Sequence, residues 1–270
     1  MCEGNFHGRT TGAISFSSDK QATKDYGPFL PGFLTIPYND LAALEAAMAD
    51  TDVAGFLVEP IQGEAGVKVP TEGYLSQAKA LCEKHNVLFI ADEIQTGLYR
   101  TGMLLAVDYE QVKPDILLLG KALSGGLMPV SAVLANDEIM LCVKPGEHGS
   151  TYGGNPLAAA TATVALQVME DEDMGGNATR MGELFRSKLS SYNLPVVREI
   201  RGKGLLNAIE INHENPDAAW EICLQLKEKG LLAKPTHGDK IRFSPPLVIS
   251  KIQMEEAIEI IRTVLVKFGQ

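Results

Sequence analysis

The chain has 270 residues, 45% apolar and 21% charged, the proportions of an ordinary soluble globular protein with room for a sizeable core. Its 24 basic and 34 acidic residues leave a formal charge of −10, which argues against a nucleic-acid groove or an anionic membrane surface, though not against a small anion. Cys2, Cys82, Cys142 and Cys223 show no C-x-x-C spacing and read as reduced thiols of an intracellular protein, and no apolar run reaches the ~18 residues of a membrane helix.

The opening residues carry neither a signal-peptide nor an Arg-rich transit pattern, and the turn Gly4 to Gly8 follows at once, as if the chain opens inside a domain. Asp40 is expected to cap a helix bearing Leu41, Leu44 and Met48. Ala54 to Glu59 is a short apolar run stopped by Pro60, hence a buried strand. A helix from Tyr74 to Lys84 leads to the strand Val87 to Asp92. Asp115 to Gly120 and Val130 to Leu134 are the next two strands. This alternation predicts a parallel sheet covered by helices, an α/β class. Asn155 and Pro156 start an alanine-rich helix that runs to Met169. The acidic, glycine-containing break Glu170 to Gly176 divides a large domain, 1–171, from a smaller α+β domain, 172–270. The latter is expected to hold a helix through Met181, Leu184, Phe185 and Leu189, then a strand from Leu205 to Ile211. A helix from Trp220 to Lys229 stops at Gly230. A loop from Lys234 to Lys240 feeds the strand Ile241 to Phe243, and a last helix uses Met254, Ile258, Ile261, Leu265 and Phe268.

In open α/β sheets ligands sit at the carboxyl ends of strands. Asp92 and Lys121 each follow a continuously apolar run and so fall at such an end, where an unpaired buried charge costs roughly 3–5 kcal/mol. A structural ion pair is one reading of the two. Pyridoxal phosphate chemistry is the other: it needs a lysine amine to bind the cofactor and shuttle a proton, and a carboxylate to keep the pyridine nitrogen protonated. Gln95, Ser124, Gly125 and Gly126 are small or polar neighbours that let a flat ring approach the backbone.

Four stretches in order, Val58 to Gly66, Phe89 to Gly97, Leu119 to Gly126 and His148 to Asn155, resemble the class III (subgroup II) aminotransferases. The wording of Pro37 to Leu41, Arg201 to Ala208, Gly230 to Gly238 and Ile241 to Leu247 is similar to its ornithine-type members, and the likeness covers essentially the whole chain. It implies an aminotransferase fold type I large domain, incomplete at its N-terminus, plus a small C-terminal α+β domain. A long upstream segment of the family, with much of its phosphate cup, has no counterpart in these residues.

The resemblance further implies that Lys121 holds pyridoxal 5'-phosphate as a Schiff base and that Asp92 pairs with the pyridine nitrogen. Gln95 would lie near the phenolic oxygen and Phe6 would stack on the ring. Ser150 and Thr151 would be cofactor contacts, Thr151 reaching the phosphate of the neighbouring subunit of a homodimer. Without the family, Phe6 reads as a core residue beside a turn and Thr151 as a helix-entry hydroxyl. Arg9 and Arg242 are the natural carboxylate clamps, since a planar guanidinium offers two parallel hydrogen bonds. By resemblance Arg9 takes the α-carboxylate of ornithine and Arg242 that of 2-oxoglutarate. Glu64 would pair with Arg242 while ornithine is bound and release it for the diacid. His7 has no assigned role. The implied reaction is transamination of L-ornithine with 2-oxoglutarate, giving glutamate 5-semialdehyde and glutamate. Acetylornithine or 4-aminobutyrate as donor remains open, as does a shortened chain without activity. A hydrolase pair drawn from Glu59, Glu64, Asp92 and Glu93 would leave Lys121 without a use. The compartment, cytoplasm or mitochondrial matrix, is not legible.

Overall fold

Short helices open the chain: α1 (Thr11–Ile14), capped by Thr10, and α2 (Lys20–Thr23), capped by Asp19. This computed structural model describes residues 1–269. Helix α3 (Leu41–Met48) begins where Asp40 accepts a hydrogen bond from the Ala43 N–H at 2.9 Å, so the expected cap forms. Strand β1 (Gly55–Val58) follows, then α4 (Tyr74–His85), whose Tyr74, Leu75, Ala78 and Cys82 make one buried stripe. Asn86 ends α4 in the left-handed conformation, and β2 (Leu88–Asp92) follows. Strands β3 (Ile116–Leu119) and β4 (Ala132–Ala135) complete a four-stranded sheet in the order β1-β2-β3-β4.

The first three strands pair in parallel and β4 runs antiparallel to β3, so the sheet is mainly parallel, with one antiparallel edge strand whose direction the sequence did not give. The cause is the connection: it holds one 3-10 turn, Lys121–Ser124, and no helix long enough to cross the sheet. Phe56, Val58, Phe89 and Ala91 point to one face and pack with Leu44, Met48, Tyr74 and Cys82. Asp115, just before β3, accepts from the Phe89 N–H at 2.7 Å and pairs with Lys79 at 2.8 Å, tying β2, β3 and α4 together. After α5 (Asp137–Met140), helix α6 (Pro156–Asp171) starts at Asn155, which accepts from the Ala158 N–H at 2.8 Å, with Pro156 in its first turn.

The remaining elements form a second unit: α7 (Met174–Ser191), β5 (Val197–Lys203), β6 (Leu206–Ile211), α8 (Ala218–Glu228), β7 (Lys234–Thr236), β8 (Lys240–Phe243) and α9 (Lys251–Phe268). Its antiparallel sheet has the order β5-β6-β8-β7. Residues Ile61–Val69 and Tyr99–Leu104 group with this unit, while Met1–Pro60, Pro70–Leu98 and Leu105–Glu172 group with the first. Three elements differ from expectation, and β5, which the sequence did not announce, is one of them. Strand β7 occupies part of the presumed loop, and α7 contains Gly175 and Gly176, which read locally as a break.

Strand β6 is buried on both faces. Ile209 and Ile211 enter the core formed with Phe185, Ile222, Leu226, Ile258 and Ile261, whereas Leu206 and Ala208 pack on Ile61 and Val67. The 61–69 segment therefore lies over the face of the sheet opposite its helices. Among the described residues no helix is long and apolar enough to cross a membrane.

Candidate active site

Asp92 is the last residue of β2 and is 4% exposed. Its Oδ2 lies 2.6 Å from His7 Nδ1, and its Oδ1 accepts from the Ile94 N–H at 3.0 Å. The His7 side chain is equally buried, and its Nε2 has no hydrogen-bond partner. In register, Asp92 faces Leu118 of the parallel neighbour β3, and Lys121 follows two residues beyond the end of that strand. The carboxylate and the amine thus belong to the carboxyl ends of adjacent parallel strands, as the sequence predicts.

Lys121 itself departs from expectation, being exposed rather than buried. The reason is that β3 is only half-buried along its length and Val133 and Leu134 of β4 are themselves exposed. Lys121 also adopts φ 42°, a left-handed conformation uncommon for a residue with a side chain. Gly125 and Gly126 follow with positive φ, and a Cβ at Gly126 would meet nothing within 4 Å, so the backbone there is open to approach. Ser124 is enclosed and bonds to the Met128 backbone, closing this turn.

Phe6 is half-buried, and its N–H donates to Glu59 Oε1 at 2.9 Å. Arg9 is exposed, with its guanidinium carbon 5.2 Å from the Phe6 ring centre, a cation–π distance. Gln95 is half-buried in the turn after β2. Ser150 and Thr151 are exposed in the loop before α6, where Ser150 Oγ accepts from the Gly153 N–H at 3.0 Å. That bond stays within the loop. An apolar cleft of about 620 Å³, lined among others by Phe16, Phe33, Leu44 and Met48, includes none of these residues.

Each carboxylate of the hydrolase reading is engaged by another group. Glu59 serves the Phe6 N–H. Glu93 is fully enclosed and accepts from the Val107 N–H at 2.8 Å and from the Thr96 hydroxyl. Burial pushes its carboxyl up to about 7, against the hydrogen bonds that favour the anion.

The second unit contains Glu64 and Arg242. Arg201 fixes the segment that carries Glu64, donating to Gly66 O at 3.0 and 2.9 Å and to Val67 O at 3.2 Å. Glu64 Oε1 meets Arg242 Nη1 at 2.5 Å, and its Oε2 meets Lys234 Nζ at 2.6 Å. Burial raises the Glu64 carboxyl, but the two cations outweigh it and hold it at about 2. The carboxylate is therefore ionised throughout the neutral range. Sequence reasoning gave His7 no role, placed Glu59 only in the hydrolase reading and gave Lys234 no part in the site. Local sequence offered no signal for them, because each partner is far along the chain.

The Aminotransferase class-III family model matches residues 1–265. "Ornithine aminotransferase, mitochondrial" of Drosophila melanogaster is 62% identical over 258 residues, which is 96% of this chain and 59% of that protein. Its namesake in Rattus norvegicus is 60% identical over 265 residues, 98% of this chain and 60% of that one. Among solved structures, an ornithine aminotransferase of Toxoplasma gondii superposes with a TM-score of 0.96 at 49% identity, covering 98% of this chain and 63% of that one. An acetylornithine aminotransferase of Elizabethkingia anophelis gives 0.84 at 56% identity, covering 88% and 63%. The chain spans about three fifths of the length of the curated relatives it matches. By the extent of the family match and by these identities, the chain belongs to the class-III aminotransferases.

Proposed function

We propose that this chain carries the cofactor-binding machinery of a pyridoxal-phosphate-dependent transaminase acting on L-ornithine and 2-oxoglutarate. The observation that carries the reading is the placement of Asp92 and Lys121 at the carboxyl ends of adjacent parallel strands. The residues fit the cofactor. Asp92 Oδ2 meets the His7 imidazole and Oδ1 accepts from the Ile94 N–H, and each oxygen has a further lone pair that could take a ring N–H. Lys121 is an exposed residue, and the Gly126 backbone leaves space for a planar group. When bound, the cofactor supplies an electron sink for the substrate carbon.

The protein's part is to hold and to move protons. Asp92 keeps the proton on the ring nitrogen, with His7 orienting the carboxylate. Lys121 Nζ would be the group that holds the cofactor, and once freed by a donor amine it would move the proton at the substrate carbon. Phe6 and Gln95 would hold the ring, and Ser150 with Thr151 would contribute to phosphate binding, Thr151 to that of the neighbouring subunit of a homodimer. Arg9 takes the ornithine carboxylate. Arg242 stays with Glu64 while ornithine reacts and turns to the carboxylate of the 2-oxo acid afterwards. The first unit would be the cofactor-binding domain, and the second, residues 173–270 with 61–69 and 99–104, the small domain. The compartment is intracellular, mitochondrial matrix or cytoplasm; the fly and rat relatives are named mitochondrial. Acetylornithine is the second donor to test, given the 56% identical acetylornithine aminotransferase.

Purified protein mixed with pyridoxal phosphate is expected to develop a visible absorbance band that ornithine removes and 2-oxoglutarate restores. Lys121→Ala should eliminate the band and lower turnover by at least 10³-fold, on the scale of lost nucleophilic and acid–base catalysis. A folded sample that forms no band would overturn the reading for these 270 residues.

A further inference from the structure

Direct partners in an antiparallel sheet project to the same face. The second unit's register sets Arg201 opposite Ala208, Ala208 opposite Arg242, and Arg242 opposite Lys234. Three cations thus stand in one row across four strands, with the small Ala208 between the first two. Arg201 is neutralised by Glu210, at 2.8 Å, and by Glu199. Arg242 and Lys234 face each other directly, an arrangement that is repulsive by itself. Glu64 relieves it, giving one oxygen to each. The two contacts differ in setting: the Arg242 and Glu64 side chains are 13% and 19% exposed, and Lys234 is 56% exposed.

We propose that Lys234 is the partner that keeps Glu64 when Arg242 turns to the carboxylate of an acceptor, and so sets how readily the site takes a 2-oxo acid after an amine donor. The inference rests on the transamination reading. Its logic is a charge count. With Lys234 present, two cations serve two carboxylates, Glu64 and the acceptor's. Without it, one guanidinium must serve both once the acceptor binds, and one of the two carboxylates is then left unpaired. Because each cation holds a different oxygen, Arg242 can leave without disturbing the Lys234 contact. Donor amines that present no carboxylate at the reacting carbon leave the Glu64–Arg242 pair intact. Lys234 is therefore a positioning residue that acts through Glu64.

The test compares Lys234→Gln and Lys234→Arg with the parent chain, all loaded with pyridoxal phosphate. Each half-reaction is followed by absorbance. In Lys234→Gln the KM for 2-oxoglutarate should rise about fivefold, the scale of one partly exposed ion pair, while that for ornithine stays within about twofold. Lys234→Arg should restore the parent value. In a Glu64→Gln background, Lys234→Gln should add nothing. An acceptor KM unchanged in Lys234→Gln, or raised together with the donor KM, overturns the proposal. Glutarate binding by calorimetry reads the same exchange without chemistry: it should weaken about fivefold in Lys234→Gln and recover in Lys234→Arg. Equal or absent glutarate binding in parent and variant overturns the role of Lys234. Failure of ornithine to discharge the band overturns the transamination reading instead, and glutarate then still decides on Lys234.

Discussion

At His7 an imidazole meets the Asp92 carboxylate at 2.6 Å, each side chain 4% exposed. Removing the imidazole leaves Oδ2 buried without that donor, which costs ~1–3 kcal/mol. His7→Ala should lower the urea-unfolding free energy by about that amount and weaken cofactor uptake, read from the absorbance titration. Equal midpoints and equal uptake would show that Asp92 is held by something else. Glu93 gives a pH signature of its own. Its folded carboxyl titrates at about 7 against an ordinary 4.5, so the folded state holds its proton longer than the unfolded chain does. The stabilisation is complete below pH 4.5 and is lost as pH rises to about 7. Glu93→Gln, which has no carboxyl to titrate, should flatten the fall in thermal midpoint across that window. A parallel pH profile in parent and variant would contradict the assignment.

Helix α7 shows why a glycine can belong inside an element. Gly175 and Gly182 are two helical turns apart and so share a face. A Cβ on Gly175 would lie 2.7 Å from Gly102 O, and one on Gly182 only 1.9 Å from Gly204 O. Alanine is the better helix former by roughly 1 kcal/mol, so propensity alone favours Gly182→Ala. The close approach reverses the sign, because the obstacle is backbone and cannot rotate away. Gly182→Ala is expected to destabilise the protein by ~1–3 kcal/mol net in chemical denaturation. A gain in stability would mean that α7 can move off its neighbour at little expense. The 61–69 segment makes a similar point, since apolar burial of Ile61 and Val67 and the Arg201 bonds place Glu64.

For the whole molecule, two cores of different character accompany an acidic surface of net charge −10. The first unit also leaves Leu127, Tyr152, Leu157 and Val164 more than 60% exposed, an apolar display of the kind that marks contact surfaces and that supports the proposed homodimer. Within each unit, long-range contacts set the positions of the chemical groups. His7 and Asp92 are 85 residues apart, Glu64 and Lys234 170, and Glu64 and Arg242 178.

Local sequence determined the elements with a strong period and clear ends. Strands β1 to β3 are continuous apolar runs, Asp40 and Asn155 cap the helices they precede, and Asp92 and Lys121 fall at strand ends because the runs stop there. Family wording, rather than periodicity, anticipated the Glu64–Arg242 pair. Strand β5 was not legible: Val197–Lys203 is rich in charge, largely half-exposed, and takes its shape from pairing with β6. Only the tertiary structure decided the antiparallel turn of β4, the exposure of Lys121, the glycines inside α7, and the contacts of His7 and Lys234. The physical reason is common to them. Periodicity and capping act between neighbours in the chain, whereas pairing, close approach and charge compensation depend on groups that only folding brings together.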